Sequence, residues 1–444
     1  MEQDLTTGSI TGKLLLFAVP LMIGNVLQQF YNVVDTWIVG KYIGSDALAA
    51  VGSAYTLMTF LTSIILGLCM GSSAYFAMQY GNNCMESLKK GIFLSFSMIG
   101  MLSLVITGIV LWQIDNIIHI LRVPAKIADI SREYLVIIFM GIMATFLYNY
   151  YANLLRAVGN SFVPLVFLAV SVILNVGLDI YFVASLHWGV KGTALATVIS
   201  QYVSAVGLFL FYHMRFSRLK VKQSHMVWDL SILKDIFRLS GLTCLQQSVM
   251  NFGILMVQGL VNSFGSVVMA AFSVAVKIDT IAYMPVQDYG NAFSTFVAQN
   301  YGAGKTERIK KGVRSSLIVV FVFCAMISSA VCALAPQLMN IFVKGKPDVA
   351  FVGVSYLRIE AAFYFGIGLL FMLYGFYRGV NRPAISLVLT VCSLGTRVLL
   401  AYVLSAIPAV GVKGIWVSIP IGWALADVVG VVYYIRSLKS ENKA

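Results

Sequence analysis

Charged residues are scarce in this sequence. Asp, Glu, Lys and Arg make up 11% of its 444 residues, less than half of the about 25% typical of soluble domains. Apolar residues reach 59% and fall in separate runs of about 20 residues or more, each long enough to cross the roughly 30 Å hydrocarbon core of a bilayer. The shortage of charge excludes an ordinary soluble protein and predicts an all-α membrane protein.

The sequence also lacks the cysteine and histidine patterns of metal and redox sites. Its six cysteines are scattered without a Cys-x-x-Cys spacing, and its four histidines never pair three or four residues apart. Disulfide frameworks, zinc sites and metalloenzymes depend on such patterns. We therefore expect no enzyme, no cofactor and no metal site of these kinds.

Positive charge is plentiful but is not gathered on one soluble surface. The net charge is +13, which on such a surface would suggest a nucleic-acid partner. Here the bases lie in short loops and tails, with 20 Lys and Arg on the side of the membrane that holds both termini and 8 on the other side. The positive-inside rule predicts a multi-pass protein of the cell membrane with both termini in the cytoplasm and no nucleic-acid partner.

The apolar runs predict twelve transmembrane helices. The first run is too long for a signal-peptide core and lacks a cleavage site behind it, so we expect a retained helix. A basic connection at 214–233 divides the chain into an N-terminal lobe at 1–213 and a C-terminal lobe at 234–444. The twelve predicted spans are residues 14–39, 48–79, 91–113, 134–157, 162–184, 190–213, 234–262, 267–300, 313–335, 355–379, 384–406 and 412–435.

The two lobes repeat one another at a nearly constant offset. Tyr80-Gly81 recurs 221 residues later, while Tyr134-Leu135, Arg156 and the Gly-Val-Lys-Gly segment at 189–192 recur 222 residues later. Such self-similarity is typical of transporters built from internal repeats. Because each unit holds an even number of spans, we expect two six-helix bundles related by a pseudo-twofold axis along the membrane normal.

Charged residues inside the spans indicate function, because ionisable groups at membrane depth are costly. Asp35 lies late in the first span, and Tyr31 and Gln28 precede it by four and seven residues on the same helix face. In the fifth span Asn175 and Asp179 share a face.

Thr197 in the sixth span lies at a comparable depth and completes an oxygen-rich set. Two carboxylates brought close together cannot both ionise cheaply, so the set suits a shared proton or a hard monovalent cation. The alternative is that Asp35 and Asp179 only bond neighbouring helices.

The second half has different charges. Positions equivalent to Asp35 and Asp179 fall near Met256 and Ala401, so we expect no duplicate of the acidic set. Lys277 and Asp288 could be paired structural ions, and Glu360 could be a second coupling or substrate site. The secondary candidates are Lys277, Asp279, Asp288 and Glu360.

Pro20 lies in the first third of the first span. A proline inside a helix removes one backbone hydrogen bond and favours a kink. We expect a hinge here, upstream of Asp35, that links protonation to helix shape, or else a static bend.

These residues resemble the multidrug and toxic compound extrusion (MATE) transporters, in particular their DinF-like prokaryotic branch, over essentially the whole chain. The resemblance implies a two-lobed antiporter that exports drug-like, often cationic or amphipathic compounds in exchange for inward H⁺ or Na⁺. The matching segments are Phe17 to Pro20, Tyr31 to Thr36 with Gly40, Asn175 to Asp179, and Val297 to Gly304.

The resemblance also implies roles for individual residues. The cation or proton site would comprise Asp35, Asn175, Asp179 and Thr197. The adjoining substrate cavity would include Gln28 and Tyr31, with Asn149 and Asn153 as looser matches, and Pro20 would be the bend of the first helix. Another branch places sodium-binding acids in the seventh and tenth helices, but the seventh span here has no acid beyond Asp235 at its first turn.

A flippase and a passive channel are the alternatives to an antiporter for a protein of this kind. A lipid-linked oligosaccharide or lipid flippase of the same superfamily often has a basic cavity, whereas the charged residues expected here at membrane depth, away from the loops, are six acids and three bases. A passive channel does not need the two-lobe duplication, so the duplication disfavours a channel. We expect small organic substrates, the lipid bilayer as the surroundings, and a monomer as the functional unit.

Overall fold

The computed structural model describes residues 3–120, 123–343 and 345–441, and within them the chain forms fifteen α-helices and no strand. The first eight helices precede the basic connection at 214–233 that was identified in the sequence. They are α1 (Ile10–Tyr42), α2 (Ser45–Gly81), α3 (Met85–Trp112), α4 (Ile114–Ile120), α5 (Ala125–Met140), α6 (Ile142–Ala157), α7 (Phe162–Asp179) and α8 (Gly189–Arg215).

The remaining seven helices follow that connection, which itself contains two short 3₁₀ turns, Ser217–Leu219 and Gln223–His225. They are α9 (Leu230–Asn262), α10 (Ser266–Gly302), α11 (Thr306–Phe342), α12 (Pro347–Ala361), α13 (Tyr364–Gly379), α14 (Pro383–Ser405) and α15 (Lys413–Glu441).

The helices account for the predicted membrane spans. In the described part of the chain, eleven segments are long and apolar enough to cross a membrane, and the count is twelve when α12 and α13 are taken as one span. The all-α fold class is therefore confirmed. Two predicted spans are not single helices. The span at 134–157 is divided between α5 and α6 at Gly141, and the span at 355–379 is divided between α12 and α13, which meet at an angle of 53°.

The bend between α12 and α13 has a local cause. The amide of Phe363 donates to the carbonyl of Glu360, three residues back, at 3.0 Å. Such bonds tighten the backbone relative to the α-helical pattern of four residues. The break at residues 362–363 therefore lies within one turn of Glu360, one of the buried acids predicted from the sequence.

The chain divides into two compact units that do not follow the two sequence repeats exactly. Unit 1 contains Met1–Asp4 and Val19–Cys244, and unit 2 contains Leu5–Ala18 and Leu245–Ala444. The first part of α1 thus belongs to unit 2, and the first part of α9 belongs to unit 1. Both helices continue through the boundary between units.

Within unit 1, glycines in α2 permit close packing against the start of α9. A Cβ atom on Gly67 would lie 2.6 Å from the Cα atom of Cys244, and one on Gly71 would collide with the backbone of Ser240. The neighbouring Ser72 hydroxyl is 2.8 Å from that of Ser240. Small residues four positions apart let membrane helices approach to backbone contact.

Within unit 2, the N-terminal segment is held by polar side chains of α10 and α11. Gln299 accepts a hydrogen bond from the Leu5 amide at 3.2 Å, and Asn300 donates to the Leu5 carbonyl at 3.2 Å. The Arg308 guanidinium donates to the carbonyls of Leu5, Thr7 and Gly8, the shortest bond being 2.7 Å to Thr7. These bonds fix the chain before α1 begins.

Candidate functional site

The structure brings Asp35 and Asp179 together inside unit 1. Asp35 is 9% exposed and Asp179 is fully buried, and their carboxyl groups are close enough for a hydrogen bond between them. Within the described residues, neither oxygen of Asp179 accepts a hydrogen bond from another donor. Because a carboxylate accepts but does not donate, such a pair needs a shared proton or a bound cation.

Thr197 connects two further residues of the predicted set. Its hydroxyl oxygen accepts from the Tyr31 hydroxyl at 3.4 Å and from the side-chain amide of Asn175 at 3.4 Å. The other side-chain atom of Asn175, its amide oxygen, is buried and has no donor in the described structure. The oxygen atoms that lack donors are Asp35 Oδ1, Asn175 Oδ1 and both Asp179 carboxylate oxygens.

The backbone is irregular immediately after Asp179. The α-helix α7 ends at this residue, and a π-helical turn follows at Ile180–Ser185. Its pattern continues in the amide of Leu186, which donates to the Tyr181 carbonyl five residues back at 3.0 Å. Short π-helical insertions are frequent at functional sites. The buried acids Asp179 and Glu360 each lie next to such an irregular segment.

Tyr134 belongs to this site but was not among the sequence candidates. It is 8% exposed on α5 and lies within electrostatic range of Asp35, Tyr31 and Asp179. One feature of the sequence points to Tyr134, because this residue recurs in the second half as Tyr356.

The predicted cavity residues have more ordinary surroundings. Gln28 is exposed on α1. On α6, Asn149 donates to the carbonyl of Thr145 and Asn153 donates to the carbonyl of Asn149, each at 2.8 Å. In the part of the chain that the structure describes, no hydrogen bond connects these asparagines to the carboxyl pair.

The hinge candidate Pro20 lies inside α1, two residues after the boundary between the units at Ala18. The helix continues from Ile10 to Tyr42 without a break. Proline has no amide hydrogen to donate to the carbonyl one turn earlier. The helix therefore lacks one backbone bond close to the point where its membership changes from unit 2 to unit 1.

Unit 2 contains a second buried acidic cluster, formed by α10, α12, α13 and α14. Asp279 accepts hydrogen bonds from the Tyr364 hydroxyl at 2.7 Å and from the Tyr356 hydroxyl at 3.4 Å. Glu360 is fully buried, and neither of its carboxyl oxygens has a hydrogen-bond donor in the described chain. The charge of Arg397 lies within electrostatic range of both acids.

The other secondary candidates lie apart from this cluster. Lys277 is exposed on α10, whereas Asp288 is buried at 3% exposure. Eleven residues of helix separate them, a rise of about 16 Å, so the two side chains do not form an ion pair. A buried base is found instead at Arg378, which donates to the Ser294 hydroxyl and to the Asn291 amide oxygen, each at 3.0 Å.

Comparisons with known proteins agree with the fold and with the repeat. The sequence profile of the MatE family matches residues 20–181 and 242–403, two segments that begin 222 residues apart. This is the offset found within the sequence itself.

Two curated relatives match nearly the full chain. The "Probable multidrug resistance protein YpnP" of Bacillus subtilis is 28% identical over 97% of this chain and 96% of its own. The "Probable multidrug resistance protein NorM" of Thermotoga maritima is 22% identical over 95% and 90%. A solved structure described as the "Outward-facing conformation of a multidrug resistance MATE family transporter of the MOP superfamily" has a TM-score of 0.92 and 23% identity over 98% and 97%.

Proposed function

Because the chain belongs to the MatE family of membrane transporters, we propose that it is a secondary active antiporter that exports drug-like organic compounds in exchange for inward H⁺ or Na⁺. Its relatives are transporters and not enzymes. The names of the relatives YpnP and NorM support multidrug export as the activity. The proposal includes a monomer as the functional unit, both termini in the cytoplasm, and no nucleic-acid partner.

The observation that carries the proposal is the contact between Asp35 and Asp179. Their carboxyl groups adjoin one another in a buried site whose oxygens lack protein donors. Removing charge repulsion there requires one positive ion, and either H⁺ or Na⁺ would serve. We propose that this site, with Asn175 and Thr197, binds the coupling ion.

The same site supports a cationic or amphipathic cargo. Among the residues described near the pair, the polar groups are carboxyls, hydroxyls and an amide, and no base contacts them. Lys277, which the sequence placed inside a span, is exposed. Export occurs by alternating access, in which ion and substrate each favour one facing state and disfavour binding of the other. Gln28, Tyr31, Asn149 and Asn153 are proposed to line the substrate path.

The experiment uses inside-out membrane vesicles and a fluorescent organic cation. A proton gradient and a sodium gradient are imposed separately, and the wild type is compared with Asp35→Asn and Asp179→Asn. The control is Asp46→Asn, which removes the same charge from an exposed ion pair with Lys126 at 2.8 Å. We expect one gradient to drive dye uptake in the wild type and the control, and neither gradient to do so in the two site variants.

Normal gradient-driven uptake by both site variants would refute the assignment of the coupling site. If neither gradient moves any cationic dye in the wild type, the export proposal itself is wrong. A flippase would then account better for the same fold.

A further inference from the structure

The connection between α8 and α9 is an ordered part of unit 1. The hydroxyl of Tyr212, near the end of α8, donates to the Leu219 carbonyl at 2.7 Å. The ring of Phe216 stacks on that of Tyr212, and Phe216 and Leu219 are buried. The first 3₁₀ turn of the connection is therefore fixed to the helix that precedes it.

The second half of the connection is anchored in a similar way. His225, which is 4% exposed, accepts a hydrogen bond from the Lys222 amide at 2.9 Å, and its other ring nitrogen lies 3.4 Å from a carboxylate oxygen of Glu86 on α3. Asp229 accepts from the amide of Ser231 at 3.1 Å at the start of α9. With both ends fixed, the segment presents one defined outer surface.

That outer surface is unusually apolar for a connection. Met226 and Val227 are each 50% exposed, Trp228 is 60% exposed and Leu230 is 78% exposed, as is Met214 at the end of α8. The ring of Trp228 packs edge to face against that of Phe93 on α3, with 6.1 Å between the ring centroids, and this contact fixes the Trp228 ring. Large apolar side chains exposed together indicate a surface that meets lipid or a partner.

The same segment carries four exposed bases: Arg215, Arg218, Lys220 and Lys222. Its only acid, Asp229, is already engaged with the first turn of α9 and lies 3.8 Å from Lys90. Bases beside tryptophan and aliphatic side chains are the combination found at the interface of a membrane, where rings lie at headgroup level and bases meet lipid phosphates.

We propose that residues 214–230 of the connection, from the end of α8 to the first residue of α9, form an interfacial element that binds anionic phospholipid headgroups of the bilayer that the protein spans. Trp228 and its apolar neighbours enter the headgroup region, and the four bases bind lipid phosphates. A lipid surface accounts for both the exposed apolar groups and the bases, whereas a soluble polyanion accounts only for the bases. In this role the connection anchors unit 1 in the leaflet that contains most anionic lipid.

The test measures whether Trp228 contacts lipid and which lipid it prefers. The purified full chain is placed in nanodiscs that contain brominated phosphatidylcholine, with or without brominated phosphatidylglycerol at the same total bromine content. Subtracting the fluorescence of Trp228→Phe from that of the wild type isolates the signal of this tryptophan, and phenylalanine retains the ring contact with Phe93. We expect strong quenching that is greater with phosphatidylglycerol.

The lipid preference is then challenged by removing charge. Each lysine near an anionic surface contributes roughly fivefold to binding, so Lys220→Gln/Lys222→Gln should weaken the preference for phosphatidylglycerol by about 25-fold in the lipid titration. The control is Lys346→Gln/Lys413→Gln, which removes two exposed lysines elsewhere in the chain, one directly before α12 and one at the start of α15, and should retain the preference. High salt should reduce it in the wild type as well.

Three results would overturn the proposal. Absence of quenching by either lipid would show that the connection lies in water. Equal quenching by both lipids would show apolar insertion without recognition of anions. Protection of the Trp228 fluorescence from a water-soluble quencher by a soluble polyanion such as heparin, but not by lipid, would indicate a soluble acidic partner.

Discussion

The carboxyl pair leads to a stoichiometric prediction. Two unit charges about 4 Å apart repel by about 4 kcal/mol at an effective dielectric constant of 20, which corresponds to roughly a thousandfold penalty on the doubly ionised state. Asp35 and Asp179 adjoin one another at hydrogen-bonding range, so at neutral pH the empty site should retain one positive ion. In sodium-free solution that ion is a proton.

Binding of a cationic substrate should therefore displace about one proton for each protein molecule. The assay is a titration of purified protein in weakly buffered, sodium-free detergent solution, with a pH indicator dye as the detector. Asp35→Asn and Asp179→Asn should each abolish the release, because one carboxylate alone does not hold a shared proton. The double variant should behave like each single variant, because the effects of substituting two residues that act as one unit do not add.

The direction of the pH effect follows from the same argument. Proton release should decrease as the solution pH is raised, because the pair then loses its proton before the substrate arrives. The control Asp46→Asn should release as much as the wild type. If the double variant still releases about one proton, the carboxyl pair is not the proton site and this reasoning is refuted.

Three further predictions concern individual residues. Tyr134→Phe should shift the ion dependence of transport without lowering the melting temperature, because it removes only a hydroxyl within electrostatic range of Asp35 and Asp179. An unchanged ion dependence would count against a role for this hydroxyl. Gly71→Ala should destabilise the protein by about 1–3 kcal/mol, measured by thermal unfolding in detergent. The control Gly52→Ala should not, because a Cβ atom on Gly52 has no neighbouring atom within 4 Å. Equal melting temperatures of the two variants would contradict the close packing of α2 and α9. Arg308→Ala should speed proteolysis of the segment at residues 5–8 several-fold relative to Lys310→Ala, because the Arg308 guanidinium donates to three carbonyls of that segment, whereas Lys310 pairs with Glu307 at 2.8 Å. Equal cleavage rates would show that the Arg308 bonds do not fix the segment.

The sequence was sufficient for the architecture because lipid imposes a simple pattern. Each span must satisfy its backbone bonds internally, so apolar length alone locates the helices. Hydropathy does not detect a local change of hydrogen-bond pattern, so the bend after Glu360 and the π-helical turn after Asp179 were missed. Both follow from backbone bonds that leave no mark in composition.

The candidate site was predicted only in part, for two physical reasons. Carboxylates are rare in membrane spans because burying them is costly, so Asp35 and Asp179 are recognisable from the sequence alone. Tyrosine is common in membrane helices, so Tyr134 did not stand out. The exchange of the first parts of α1 and α9 between units depends on contacts distant in sequence, which no local pattern records.

Tyr134 and Tyr356 occupy equivalent positions in the two repeats, yet the acids beside them come from helix positions that are not equivalent. Asp35 and Asp179 lie near the first tyrosine, while Asp279 accepts from the second. The acids of each cluster therefore have no acidic equivalent in the other repeat. A substitution of Asp35 or Asp179 thus changes the proposed ion site and leaves the acids of the second cluster as they are.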